Sequence, residues 1–172
     1  MKAQDLAVVL DVCRHRQRPP YAQLAAELFM SSSEVHSAVN RAVASGLLHG
    51  AEMENRPNLG AVEEFVLHGV RYAFPAERGE PSRGVATSYG AEPLRSLIGG
   101  VDEFGPVWPF PAGPSRGVAL EPLYTGAPRA ALQDPVLYEY LALVDALRAG
   151  RARDRSLAED LMVARLRAAS HA

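Results

Sequence analysis

Five residues between positions 33 and 41 carry side chains suited to reading another molecule. Ser33, His36, Ser37, Asn40 and Arg41 are interleaved with Val35, Ala38, Val39, Ala42 and Val43. On a helix the apolar set turns inward and the polar set outward, with His36 at the flank. The outward set is small and hydrogen-bonding, and Glu34 at its start is its one carboxylate. A face meant only for solvent more typically carries Glu/Lys pairs. Asn can bond an adenine edge through two hydrogen bonds, and Arg a guanine edge or a phosphate. Two further arginines, Arg78 and Arg83, bracket a polar, turn-prone string.

Catalytic chemistry is not expected. Cys13 and His15 are the closest Cys/His pair, and two ligands do not make a zinc site. His36, His49, His68 and His171 show no ligand spacing. No Walker loop, nucleophile elbow or dinucleotide fingerprint occurs, and Gly99-Gly100-Val101-Asp102 is too short to cradle a phosphate. No cofactor and no metal are expected.

Bulk properties narrow the classes further. With 172 residues, 48% of them hydrophobic, the chain can bury one good core, as one domain or as a small domain with a long appendage. A net charge of -2 excludes generic, charge-driven coating of nucleic acid. Residues 1–50 hold five basic side chains (Lys2, Arg14, Arg16, Arg18, Arg41) against four acidic ones (Asp5, Asp11, Glu27, Glu34). The single cysteine, Cys13, fits a reducing cytoplasm. No apolar run approaches a membrane span, and Asp5 and Asp11 interrupt the first apolar stretch, so neither a membrane segment nor a signal peptide is expected.

The elements that would position these residues follow from periodicity. Leu6, Val9, Leu10 and Cys13 predict a helix over 2–15, ended by Arg16-Gln17-Arg18-Pro19-Pro20. A short helix from about Tyr21 buries Leu24, Ala25 and Leu28. Ser31 and Glu34 have capping-box spacing and open a third helix that stops at Gly46. Residues 57–68 predict a fourth, with Asn58 as cap. Val70 to Phe74 and Gly84 to Tyr89 then read as two strands of a β-hairpin around Glu77 to Ser82. Residues 90–133, dense in glycine and proline, read as irregular chain packed over the core by Trp108, Phe110 and Tyr124. The string Pro-Ser-Arg-Gly-Val-Ala occurs twice, at 81–86 and 114–119, and reads as two similar turns leading into strands. Asp134-Pro135 starts a helix with a stripe of Leu137, Leu141, Val144 and Leu147. A last helix, carrying Leu157, Leu161, Met162 and Leu166, follows the arginine-rich hinge 151–155.

The run Tyr21 to Leu48 resembles the helix-turn-helix of bacterial winged-helix transcriptional regulators, MarR-like or AbiEi-antitoxin-like. Ala25 stands at the small packed position and Ser45-Gly46-Leu47-Leu48 at the end of the second helix, while Phe29 stands where many relatives have glycine in the turn. The resemblance implies an α+β fold. A winged helix-turn-helix over 1–89 is followed by the irregular segment 90–133 and a C-terminal helical region 134–172. It implies a recognition helix entering the major groove of double-stranded DNA, with Ser33, His36, Ser37, Asn40 and Arg41 facing it. Arg78 and Arg83 would lie in the wing, against the backbone or minor groove, or in a solvated loop. The alternative for the run is a plain helical hairpin in a structural core. Such regulators act as homodimers, and the stripe of 137–147 would either pair two copies or pack on its own protomer. Two functions stay open: a transcriptional repressor, or an antitoxin-like protein that binds a partner protein and autoregulates its operon.

Overall fold

The computed structural model describes residues 1–15, 18–99 and 104–171. Arg16 and Gln17, expected to end the first helix, and Gly100 to Asp102 lie outside the described residues. The chain is α+β, helices around a small three-stranded sheet.

Helix α1 (Ala3–Cys13) is buried on nearly every side, from Leu6 through Leu10 and on to Val12 and Cys13. Helices α2 (Tyr21–Leu28) and α3 (Ser32–Ala44) pack against it and against each other. The capping box forms as expected: the Glu34 amide donates to Ser31 Oγ at 3.2 Å, and the Ser31 amide donates to Glu34 Oε2 at 2.8 Å. Val35, Ala38, Val39 and Ala42 are buried, and Gly46 takes the left-handed conformation (φ 76°) that ends the helix. Between α2 and α3, Phe29 is also left-handed (φ 52°, ψ 44°), so the turn keeps the geometry for which glycine is suited.

Asn58 caps α4 (Leu59–Glu64), accepting from the Ala61 amide at 3.3 Å. The chain then makes one π-helical turn (Phe65–Gly69) and continues as α5 (Val70–Ala73). This corrects the expected strand at Val70 to Phe74, and with it the hairpin. Val62, Val66 and Val70 are all buried on one side of the continuous helical segment. Burial at a spacing of four outweighs the strand preference of the Val-Arg-Tyr-Ala-Phe string.

Arg78 to Ala86 is one strand, β1, with β2 (Pro106–Pro109) and β3 (Ser115–Leu120) as its partners. β1 runs antiparallel to both, β2 and β3 run parallel, and the three close into a small barrel. The two Pro-Ser-Arg-Gly-Val-Ala strings are not separate turns; they pair with each other. Pro81 faces Val118, Ser82 faces Gly117, Arg83 faces Arg116 and Gly84 faces Ser115. The glycine of each string serves close approach: a Cβ on Gly84 would collide with the Trp108 carbonyl, and one on Gly117 with the Gly105 carbonyl.

Segment 90–133 is less irregular than expected, since it holds α6 (Leu94–Ile98), β2, β3 and α7 (Ala127–Gln133). Its anchors behave as anticipated, with Trp108 and Tyr124 buried and Phe110 packed against the core. Asp134 caps α8 (Pro135–Ala149) through the Val136 and Leu137 amides, at 2.9 and 3.0 Å. Leu137, Leu141, Val144 and Leu147 are each at most 2% exposed, so the stripe packs inside its own protomer and offers no dimer surface. The final helix α9 (Ala152–His171) begins within the supposed hinge and lies along α8. One hydrophobic cluster runs from Leu6 to Leu166. Among the described residues no helix is long and apolar enough to cross a membrane.

A buried polar node fixes α8 to the barrel. Asp145 accepts from Thr87 Oγ1 (2.8 Å), Trp108 Nε1 (2.5 Å) and Arg148 Nε and Nη2 (3.1 and 2.7 Å). Arg148 in turn donates to the Phe74 and Glu121 carbonyls, so its charge is bonded on every side.

Candidate nucleic-acid interface

The polar face of α3 forms because the helix has only one apolar side to bury. Ser33, His36 and Asn40 are exposed and Ser37 is half-buried. Glu34, the face's one carboxylate, is committed to the capping box, and the Ser31 amide and hydroxyl hold it below the ordinary carboxylate range. His36 and Asn40 sit one turn apart with Nδ1 and Nδ2 at 3.4 Å. The His36 ring meets Tyr21 of α2 edge-on, with centroids 5.2 Å apart. Arg18 stacks its guanidinium over the other part of this group, 4.4 Å from the Tyr21 ring centroid. A line of side chains thus runs from Arg18 through Tyr21 and His36 to Asn40, crossing from the start of α2 to the middle of α3.

Arg41 is placed differently from its companions. Its Nε and Nη2 bond Asp5 Oδ2 and Oδ1 at 2.8 and 2.7 Å, and this two-pronged contact raises the guanidinium's pKa further. Asp5 is fully buried at the start of α1. Arg41 therefore holds α3 to α1. The sequence places Arg41 on the outward face; the pairing with Asp5, 36 residues away, had no local signal. Arg18, stacked on Tyr21 as a cation–π pair, is the cation that stands beside the exposed polar face.

Arg78 and Arg83 stand on β1, not at a hairpin tip. Arg78 Nη2 donates to the Ala149 carbonyl at the end of α8 (3.1 Å), and Arg83 Nη1 to the Gly113 carbonyl (3.2 Å). The barrel does lie beside the turn of the helical pair: Phe29, Pro109, Phe110, Pro111, Pro128 and Arg129 line one open groove. Phe29 leaves 45% of its surface exposed there.

A second polar group lies between α1, α2 and the start of α8. Asp11, His15 and Glu27 bring three ligand atoms within 4.8 Å of one another. Arg14 already bonds all the carboxylates around it: Asp11, Glu27 at 3.1 Å and Asp134 at 2.8 Å. Burial pushes the Asp11 carboxyl up to about 7, against the pull of Arg14. His15, read from sequence beside Cys13, belongs instead with these acids; the Cys13 thiol is buried and is pushed up to about 12.

No family model, no curated protein and no solved structure matches the chain.

Proposed function

We propose that the protein binds double-stranded DNA through the outward face of α3, as a transcriptional regulator. The observation that carries this reading is the composition of that face once Arg41 and Glu34 are accounted for. What is left, Ser33, His36, Ser37 and Asn40, is short, free of carboxylates and hydrogen-bonding, with Arg18 as the adjoining cation. Short polar side chains on a helix held at a fixed angle can approach base edges closely, and a neighbouring arginine can hold the phosphate backbone.

The test begins with selection of bound genomic fragments by the purified protein. On a selected duplex Asn40→Ala lowers affinity by about 1–3 kcal/mol while non-specific binding stays nearly constant. Retention of full specific affinity by Asn40→Ala combined with His36→Ala removes α3 as the reader.

A second reading, an antitoxin-like protein that holds a partner protein, is favoured by one feature: the exposed Phe29 in the groove with Phe110 and three prolines. Pull-down with the product of a neighbouring gene, repeated with Phe29→Ser, separates it from the first. A partner that is retained by the wild type and lost by Phe29→Ser carries this second reading.

A further inference from the structure

The duplicated string places two positive charges directly opposite each other. β1 and β3 pair antiparallel about Arg83 and Arg116, so the two copies are related by a local two-fold centred on that residue pair. Residues facing each other in this way point to the same side of a sheet, and like charges so placed repel. Both arginines are exposed, while the glycine after each is buried against neighbouring backbone. The alternation turns the two guanidinium groups outward together. Among the described residues no carboxylate stands within 4.0 Å of either, although the chain carries more acidic than basic side chains. Arg83 is steadied by its bond to the Gly113 carbonyl, and among the described residues no carboxylate pairs with Arg116.

We propose that Arg83 and Arg116 form a clamp for a phosphate group. A phosphate presents several acceptor oxygens and up to about two negative charges at neutral pH, which matches two guanidinium forks better than a single carboxylate does. Planar five-donor heads suit this geometry, and lysine would supply only point charges. The ligand is a phosphate carried either by a small phosphorylated molecule or by the backbone of a nucleic acid. The clamp stands on the barrel and is independent of how α3 is used.

The probe is pyrophosphate, titrated at constant ionic strength while the arginine Nε–H resonances are followed by NMR. Arg83 and Arg116 shift together in the wild type. Arg83→Gln and Arg116→Gln each weaken binding about tenfold or more, and the double variant abolishes it. Thermal melting without phosphate guards the fold: Arg116→Gln melts at or above the wild type, since the repulsion is relieved. A second arm uses a duplex of about 20 base pairs. A salt slope lowered by about two in the double variant makes the nucleic-acid backbone the source, whereas an unchanged slope with lost pyrophosphate binding makes it a small phosphorylated molecule. Asn40→Ala keeps the pyrophosphate titration in either case, so failure of the α3 reading is seen separately. Unshifted arginine resonances at millimolar pyrophosphate, or full affinity in the double variant, overturn the clamp.

Discussion

Replacing Arg41 with methionine separates holding the fold from reading a ligand. The guanidinium satisfies both oxygens of Asp5, whose side chain is fully buried, while Arg41 itself is 32% exposed. Without it, Asp5 keeps the Lys2 amide at 2.6 Å and no counter-charge within the core. Removing one partner of a buried ion pair costs about 3–5 kcal/mol, and solvent access to Arg41 reduces this to about 2–3 kcal/mol. A chain of this size then melts about 5–10 °C lower. Urea unfolding followed by far-UV circular dichroism measures the loss. Asp5→Asn with Arg41→Met is less destabilised than the sum of the single changes, by about 1–2 kcal/mol. Below its melting point, Arg41→Met holds a selected duplex within roughly threefold of wild type. A variant as stable as wild type that loses duplex affinity more than about tenfold refutes the reasoning and returns Arg41 to the outward face.

Three more outcomes follow from the packing. Leu141→Glu with Val144→Glu places two unpartnered carboxylates in the core and abolishes cooperative unfolding; a folded monomer in sedimentation would mean that the stripe is exposed. Phe29→Gly relieves a left-handed non-glycine residue whose ring is 45% exposed, and the relief of about 1–2 kcal/mol offsets glycine's entropy and the lost packing, so stability stays within about 1 kcal/mol of wild type; a larger loss in chemical denaturation would show that the ring packs productively. Cys13, with its thiol pushed up to about 12 by burial, stays protonated below that pH and resists iodoacetamide at about pH 8 until urea unfolds the chain. Rapid alkylation of the native protein would place the thiol near the surface.

Signals contained within a few residues of chain match the structure. Ser31 with Glu34, Asn58, Gly46 and Asp134-Pro135 each fix a helix end through atoms a few residues apart, and all four stand as expected. The inward faces of α1 to α3 follow from a single period. The differences arise where composition and burial disagree, or where the partner is distant in sequence. Val70 to Phe74 looks like a strand by composition, yet Val62, Val66 and Val70 share a buried side, which makes the segment helical. The paired strings carry no sign of being strand partners, because residues 87–113, with a third strand among them, lie between. In the candidate site, the identities of Ser33, His36, Ser37 and Asn40 were legible from helical rotation alone. The commitment of Arg41 to Asp5 was not, since an exposed arginine and a buried aspartate give no local sign of one another.

The position of α8 bears on how this protein can be dissected. Its leucines complete the core beneath α1, and its Asp145 closes the polar node on the barrel. Cutting out the first 89 residues would uncover the side of α1 that α8 covers. Because one hydrophobic cluster holds residues of both halves, a core substitution in α8 lowers the stability of α1 as well. Any molecule that settles on α3, on the groove or on the barrel draws on the same unfolding equilibrium. A single melting curve of the whole chain can therefore screen for ligands of all three surfaces at once.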